Sequence, residues 1–344
     1  MPADDKDIGR PGGARRIMPP LEEEAFMKIT TLALCIAWAS LSAAAQAAWP
    51  ERPVRLVVPY TPGGSVDTLA RLVADEMGRN LSHPIIVENK PGASGIVASQ
   101  HVARATPDGH TLLFHASSQV SLPQVDANAK YDALKDFSHI AFIGEVPLVV
   151  AVPANSPYKT LRDLQQGARA DSRLSWGTSG IATASHLAEE LLNRDLDIKM
   201  EVVAYRGAAQ QLTDIIGGHV AAGVSPVPGA FPYLKAERLR ALAVTSPQRL
   251  KTLPSVPTAA ESGLPGFEFS SWYGLWGPAG LQDALVRDIH AAVHKALSSD
   301  AIRKKFDELM VERGDDSPAA LRAKVQTESR LVEQLVKDNR IVIQ

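Results

Sequence analysis

Three times along this chain a short apolar run ends in a loop of small residues and passes straight into an amphipathic segment, and that junction is what most restricts the fold. Residues 54–58, closed by Pro59, read as a strand. Thr61-Pro62-Gly63-Gly64-Ser65 reads as a turn, and within 67–79 Leu69, Leu72, Val73 and Met77 recur at helical spacing. The pattern repeats with a strand at 84–87, the loop Pro91-Gly92-Ala93-Ser94-Gly95 into a helix ending at Ala103, and a strand at 111–114. It restarts after about residue 148. Strands are predicted at 149–152, 174–176, 201–204 and 239–244, with helices at 161–168, 185–192 and 208–216, the last stopped by Gly217-Gly218. Repeated strand–loop–helix units imply a parallel, right-handed α/β sheet. The Pro-, Gly- and Ser-rich stretch 251–266 connects to a helical tail at 281–297, 301–312 and 318–337. Two sequential domains, or two lobes with the tail returning to the first, both fit this pattern.

A length of 344 residues suits two domains, and 45% hydrophobic with 22% charged residues is ordinary for a globular chain. The formal charge of -2 and scattered basic residues leave no footprint for nucleic acid or a membrane surface.

Ahead of the first strand lies a different kind of segment. Met27-Lys28, the apolar run 29–41 and Ala45-Gln46-Ala47-Ala48 have the layout of a secretory signal with an A-x-A cleavage site. The run is shorter than the roughly 20 residues that span a bilayer. Residues 1–26, polar and rich in Pro and Gly, are expected to be an extension upstream of a start at Met27. Cys35, the only cysteine, falls inside the signal behind Leu34, a poor fit to a lipoprotein site, so the exported chain is expected to lack thiol chemistry.

Each of the three loops puts backbone N–H groups and the positive end of a helix dipole at the carboxyl end of a strand, a setting suited to an anion. In the first, Gly63 and Gly64 allow close backbone approach, Gly64 is a candidate for positive φ, and Ser65 is a candidate N-cap. The second, Thr178-Ser179-Gly180-Ile181-Ala182-Thr183-Ala184-Ser185-His186, supplies hydroxyls, with Thr183 as the cap. The third, Tyr205-Arg206-Gly207, adds a guanidinium able to grip a carboxylate. Singly these are a tight turn, a capped helix and a surface charge. Their recurrence in two α/β units is what points to a ligand, because open parallel sheets bind beyond the carboxyl ends of their strands.

Enzyme signatures are missing. Neither Gly92-Ala93-Ser94-Gly95 nor Gly177-Thr178-Ser179-Gly180 has the spacing of a nucleophile elbow, and no P-loop occurs. His290 and His294 are four apart on a helix, but no adjacent Glu completes a zincin motif, and His186 has no Cys or Asp relay. No metal and no cofactor are expected. An enzyme on this fold stays an alternative, since fold does not fix function.

Trp49-Pro50-Glu51-Arg52-Pro53, the stretch 59–67, Val87-Glu88-Asn89-Lys90-Pro91-Gly92 and Pro107-Asp108-Gly109 occur in order. They are followed by Ser185-His186-Leu187-Ala188, Leu212-Thr213-Asp214, Arg240-Ala241-Leu242-Ala243-Val244-Thr245 and Ser262-Gly263-Leu264-Pro265-Gly266. The combination resembles the Bug family of extracytoplasmic receptors linked to tripartite tricarboxylate transporters, from Trp49 to the C-terminus. The resemblance implies an α/β, type II periplasmic-binding-protein fold: two lobes joined by crossover strands with a ligand cleft between them. Residues 49–148 and 262–344 would form lobe 1, and 149–261 lobe 2.

By position, Tyr60, Gly63, Gly64 and Asp67 would face the ligand from lobe 1, with 115–119, Ser117 included, as another wall. Thr178, Ser179, Thr183 and Ser185 would serve from lobe 2, with Tyr205 and Arg206 at its edge. The expected ligand is a small organic acid, the expected partners are membrane transporter subunits, and the receptor would be a periplasmic monomer. A sensor reporting to a membrane kinase would need the same cleft. Two departures matter: 220–226 lacks the Asp that many relatives carry there, and Arg206 stands where Lys is more usual. Both lean toward anionic, amine-free ligands. N-terminal sequencing of the exported protein should start within a few residues of Trp49; a retained Met1 or Met27 would refute the cleavage site.

Overall fold

The computed structural model describes residues 49–337. The expected extension 1–26 and export signal 27–48 lie outside the described residues.

Strands β1 (Val54–Val58), β2 (Ile85–Asn89) and β3 (Thr111–Ala116) pair in parallel, with Leu56 opposite both Val87 and Leu112. Their β-branched and leucine-rich runs suit strands covered on both faces; every residue of β1 except Arg55 is buried. A second parallel set is formed by β5 (Ser175–Thr178), β6 (Glu201–Ala204) and β7 (Ala222–Pro226). Two long antiparallel strands join the sets: β4 (Phe137–Pro153) and β9 (Ser270–Pro278). The sheet order is β2-β1-β3-β9-β4-β7-β5-β6, with β8 (Leu239–Val244) also on β4.

The residues of β4 up to Pro147 pair with β9, and those from Leu148 pair with β7 and β8. One strand therefore runs through both halves of the sheet. Sequence reading found only 149–152 of it and none of β9. Gly144 and Pro147 interrupt the apolar run of β4, and the structure accommodates the interruption with register shifts between His139/Ala141 and Phe142/Gly144. Strand β9, Ser-Ser-Trp-Tyr-Gly-Leu-Trp-Gly-Pro, reads like a loop by composition, yet all of it after Ser270 is buried between β3 and β4.

Helices α1 (Ser65–Gly78), α2 (Ile96–Ala103) and α3 (Ser118–Val125) follow the first strands; α4 (Leu161–Ala170), α5 (Ala184–Asp195), α6 (Ala208–Gly217) and α7 (Val227–Lys235) belong to the second set. In α1, Leu69, Ala70, Val73, Ala74 and Met77 form the buried stripe. In α4, Thr160 and Asp163 close a capping box. The tail comprises α8 (Asp283–Leu297), α9 (Asp300–Glu308) and α10 (Pro318–Lys337). It packs on the first set: α8 lies against β4 and α1, and α10 against β4 and α3. Helix α9 ends earlier than its apolar pattern implied, and Glu312 bridges back to Glu145 instead.

Helix α10 carries an acid into this interface. Glu328 Oε2 accepts from Trp272 Nε1 at 3.3 Å, and Oε1 from Ser121 Oγ at 3.5 Å. Burial pushes its carboxyl up to about 7, against the opposing pull of Trp272, Ser121 and the Lys324 charge. The stability this neutral carboxyl contributes is full below the unfolded value of 4.5 and lost as pH rises through about 7. Over that window the loss is on the order of 3 kcal/mol, at about 1.4 kcal/mol per pH unit. Glu328→Gln should therefore gain in melting temperature relative to wild type between pH 5 and pH 8. Parallel melting curves across that range would show that the carboxyl is not buried as described.

Candidate functional site

The carboxyl ends of β1, β3, β5, β6 and β7 converge on one cavity. The first set contributes Tyr60, Gly64, Ser65, Val66, Asp67, Ala116 and Ser118, and β9 adds Ser271 and Tyr273. The second set closes it with Ser179, Thr183, Ala184, Ser185, Ala208 and Pro226. The space between the two sets, open mouth included, is about 440 Å³.

The Gly-Gly turn is built differently from the sequence expectation. Gly63 is the residue in the left-handed region, at φ +92°, whereas Gly64 is extended at φ -84°. Gly64, not Ser65, occupies the N-cap and offers no side chain; Ser65 is the first helical residue. A side-chain carbon on Gly64 would come 3.6 Å from the Ala208 Cβ, so this backbone faces the opposite half of the sheet directly.

Asp67 is in the wall, but its carboxylate is already engaged. It accepts from Gly63 N–H at 3.0 Å, from Asn89 Nδ2 at 2.8 Å, and from Arg71 at 3.1 and 2.9 Å. Burial raises its pKa, yet these bonds and the Arg71 charge together hold it below the usual range. Its work is to brace the turn.

Tyr60 and Ser118 hydroxyls pair at 2.8 Å, and burial pushes the phenol up to about 12. Behind them His115 meets Tyr60 edge-on, with ring centroids 5.8 Å apart. His115 Nδ1 lies 3.0 Å from the Ala116 carbonyl, which can only accept, so the proton sits on Nδ1. Burial lowers this imidazole to about 3. Ser118 therefore has no base beside it, although His115 Nδ1 is 3.5 Å away.

In the second set Thr183 caps α5 by accepting from His186 N–H, as its sequence position implied, and donates to the Gly180 carbonyl at 2.8 Å. Ser179 Oγ lies 3.4 Å from Thr183 Oγ1 and 3.3 Å from Ser185 Oγ. His186 Nδ1 accepts from Ala182 N–H at 3.1 Å, so its proton is on Nε2; burial lowers it to about 4.

The remaining candidates stand outside the wall. Ser117 is buried with an unpartnered hydroxyl, and Thr178 lies fully buried beside the Glu189 carboxyl, whose pKa burial raises well above normal. Tyr205 bonds through its N–H to the Thr178 carbonyl. Arg206 is exposed, with its N–H on Gln210 Oε1 at 3.2 Å. Their loop contributes at its helix start instead: a side chain on Gly207 would fall 3.2 Å from Thr61 Oγ1, and Ala208 lines the cavity. Ser271 and Tyr273 escaped sequence reading together with strand β9, and Pro226 ends the 220–226 segment noted there only for its missing Asp. Ser118 lay within the 115–119 segment considered for a wall.

No cationic side chain lines the cavity, and its one carboxylate is consumed. What faces inward is the starts of α1 and α5 with a set of hydroxyls, an arrangement for holding an anion by N–H and O–H donors. His290 and His294 bond Asp316 at 3.1 and 2.8 Å, and no metal-holding cluster occurs among the described residues. No helix among them is long and apolar enough to cross a membrane.

Fold and cleft thus define a two-lobed solute-binding protein. The family model for the tripartite tricarboxylate transporter family receptor matches residues 69–344, and the chain belongs to that family. The periplasmic binding protein BugD superposes with a TM-score of 0.83 at 30% identity, covering 86% of this chain and 100% of BugD. A Rhodopseudomonas palustris protein solved with malate, MatC, gives 0.80 at 32%, covering 84% and 100%. An R. palustris protein solved with adipate gives 0.81 at 33%, covering 84% and 97%. The family match and the likeness to BugD agree with the sequence motifs, and the chain is a receptor rather than an enzyme.

The imidazoles give a direct check on the site. His115 and His186 should hold one tautomer each, Nδ1–H and Nε2–H respectively, with nitrogen shifts flat from pH 8 to pH 5, where a free imidazole titrates near 6.5. Titration of either near its free value in nitrogen NMR would mean that its burial is wrong. Because both are depressed, the stability they contribute is present above about 6.5 and is lost as pH falls through about 4 for His186 and about 3 for His115.

Proposed function

We propose that this chain is an exported, monomeric receptor that captures a small, amine-free organic acid and hands it to the membrane subunits of a tripartite tricarboxylate-type transporter. The lobes that close on the acid would be 49–148 with 262–344, and 149–261, hinged where β4 and β9 cross. The family description and the signal-like segment ahead of Trp49 support the export and transport parts of this reading.

The observation that carries the ligand class is the polarity of the wall. In the wall, the Ser65 and Tyr273 hydroxyls are buried and lie near one another, with Ser271 also beside Tyr273, but none of these contacts has good hydrogen-bond geometry. An unpaired buried hydroxyl costs about 1–3 kcal/mol, and a carboxylate, with roughly four acceptor sites, can take several donors at once. An ammonium group finds hydroxyl acceptors in this wall but no free carboxylate. Asp67 is spent on Arg71, Asn89 and Gly63, and the α1 and α5 starts repel positive charge. Between the polar groups, Val66, Ala116, Ala184, Ala208 and Pro226 offer apolar contact for a short carbon chain. The relatives solved with malate and adipate support a short organic acid as the ligand to test.

Malate or adipate at 100 times its dissociation constant should stabilise the protein by about 2.7 kcal/mol, raising the melting point by several degrees at roughly 2–4 °C per kcal/mol. Aspartate, which replaces the malate hydroxyl with an ammonium, should give a much smaller shift. Equal shifts for the two would sink the amine-free reading, and chemical turnover of the bound acid would sink the receptor reading. Titration calorimetry should show Gly64→Val losing binding, because its side chain meets Ala208 across the cleft. Ser179→Ala should cost about 0.5–1.5 kcal/mol, or up to 3 if Ser179 contacts a charged oxygen.

A further inference from the structure

On one flank of the cavity the two halves of the sheet touch through a hydrogen bond that lines no part of the ligand space. Ser94 lies in the short 3-10 turn Ala93–Gly95, between β2 and α2 of the first set. Its Oγ accepts the N–H of Ile181 at 2.9 Å, and Ile181 belongs to the loop between β5 and α5 of the second set. Both segments hold non-glycine residues in the left-handed region: Ala93 at φ +43° and Ser94 at +54° on one side, Ala182 at +56° on the other. Such conformations are unfavourable in isolation and persist where surrounding contacts enforce them.

The enforcing contacts are close. A side-chain carbon on Gly180 would sit 3.3 Å from Ser94 Oγ, and one on Gly95 would sit 2.7 Å from His115 Nε2. Beneath the hydrogen bond, Ile96 from the first set and Ala182 and Leu187 from the second share one apolar cluster. His186 fixes the second loop by taking the Ala182 N–H, so the adjacent Ile181 N–H is aimed outward at Ser94. Separation of the two sheet halves would break this bond and release the turn that carries Ser94 from its constraint.

We propose that Ser94 and the Ile181 amide form a closure latch, a hydrogen bond between the two lobes that holds the cleft shut over its ligand and sets how slowly the ligand leaves. Ser94 is a positioning residue here, since it touches the opposite loop and not the ligand. A contact made only in the closed state acts on dissociation more than on association. One neutral hydrogen bond of ordinary strength corresponds to about a twofold to twelvefold change in the closed population. The latch stands on geometry alone; it rests on the carboxylate reading only where ligand release is measured.

The test uses the full chain with Ser94→Ala, which removes the acceptor, and Ser94→Gly, which also relaxes the left-handed turn. Hydrogen exchange at the Ile181 amide should accelerate about twofold to twelvefold in both variants, with the amides of β5 and the core of α5 unchanged. Malate and adipate should dissociate faster by a similar factor, with association rates close to wild type. Unchanged Ile181 exchange in Ser94→Ala overturns the latch, as does general acceleration across the whole loop and helix, which would mark Ser94 as a purely local support. If neither acid binds the wild-type chain, the carboxylate reading fails, and the exchange comparison still decides the latch.

Discussion

The pairing of β4 with β9 is the constraint from which the rest of the molecule follows. Strand β4 passes from one parallel set to the other without a break in hydrogen bonding, changing partners from β9 to β7 and β8 between Pro147 and Leu148. Thr245 clamps that point: its Oγ1 accepts the Leu148 N–H at 2.8 Å and donates to the Phe269 carbonyl at 2.6 Å. Beside it Ser270 Oγ donates to Glu145 at 2.9 Å, and Lys324 from the tail pairs with the same carboxylate at 2.9 Å. Both parallel sets are thereby oriented so that their carboxyl ends face one another. The Gly63-Gly64 turn comes against Ala208 and Ala209, and the 178–186 loop against Ser94, for this reason, not through any attraction of their own.

Given that geometry, the absence of cations from the cavity wall is a solution to a desolvation problem. A guanidinium or ammonium in a closed cleft would itself need compensation whenever the site stood without an anion, and a buried unpaired charge is among the costliest features a fold can carry. Helix starts and hydroxyls carry only partial charges, whose burial costs far less. The one full charge in the wall, Asp67, is neutralised by Arg71 and spent on holding the turn. Arg206, the residue whose chemistry most suggested a direct grip, stays in solvent, and its loop reaches the cavity only at the following helix start, through Ala208.

The parallel units were legible because their signal is local. Periodicity located β1, α1, α5 and α6, and Thr183 could be recognised as a cap from its place alone. The long strands were not, because what makes them strands is their neighbours. Trp272, Tyr273 and Trp276 are interspersed with Gly274 and Gly277 in a way that resembles no half-buried strand, and the segment becomes one only between β3 and β4. Ser271 and Tyr273 were lost with it, so one wall of the site was invisible although the loops opposite were not. The Gly63-Gly64 pair shows a finer limit. Composition located the turn but not which glycine turns left-handed, since that depends on the N–H of Gly63 reaching the Asp67 carboxylate.

The polar layer beneath the second half of the cleft explains why its loops can be so sparing in side chains. Gln211 Nε2 donates to the Gly177 and Val224 carbonyls while its Oε1 accepts from Ser225 Oγ at 2.8 Å, tying β5 to β7 from below. Glu189 takes the Val224 N–H at 2.9 Å, with burial favouring its neutral form. At Gly223 any side chain would fall 2.7 Å from the Gly177 carbonyl, so the strands approach where only glycine fits. These bonds fix the strand ends from which the 178–186 loop departs. Donors held in place before a ligand arrives lose little freedom on binding it, so a wall of weak donors can still be effective. Rigidity supplied by buried Gln211 and Glu189 is thus what would let Ser179, Thr183 and Ser185 serve the proposed ligand without a formal charge among them.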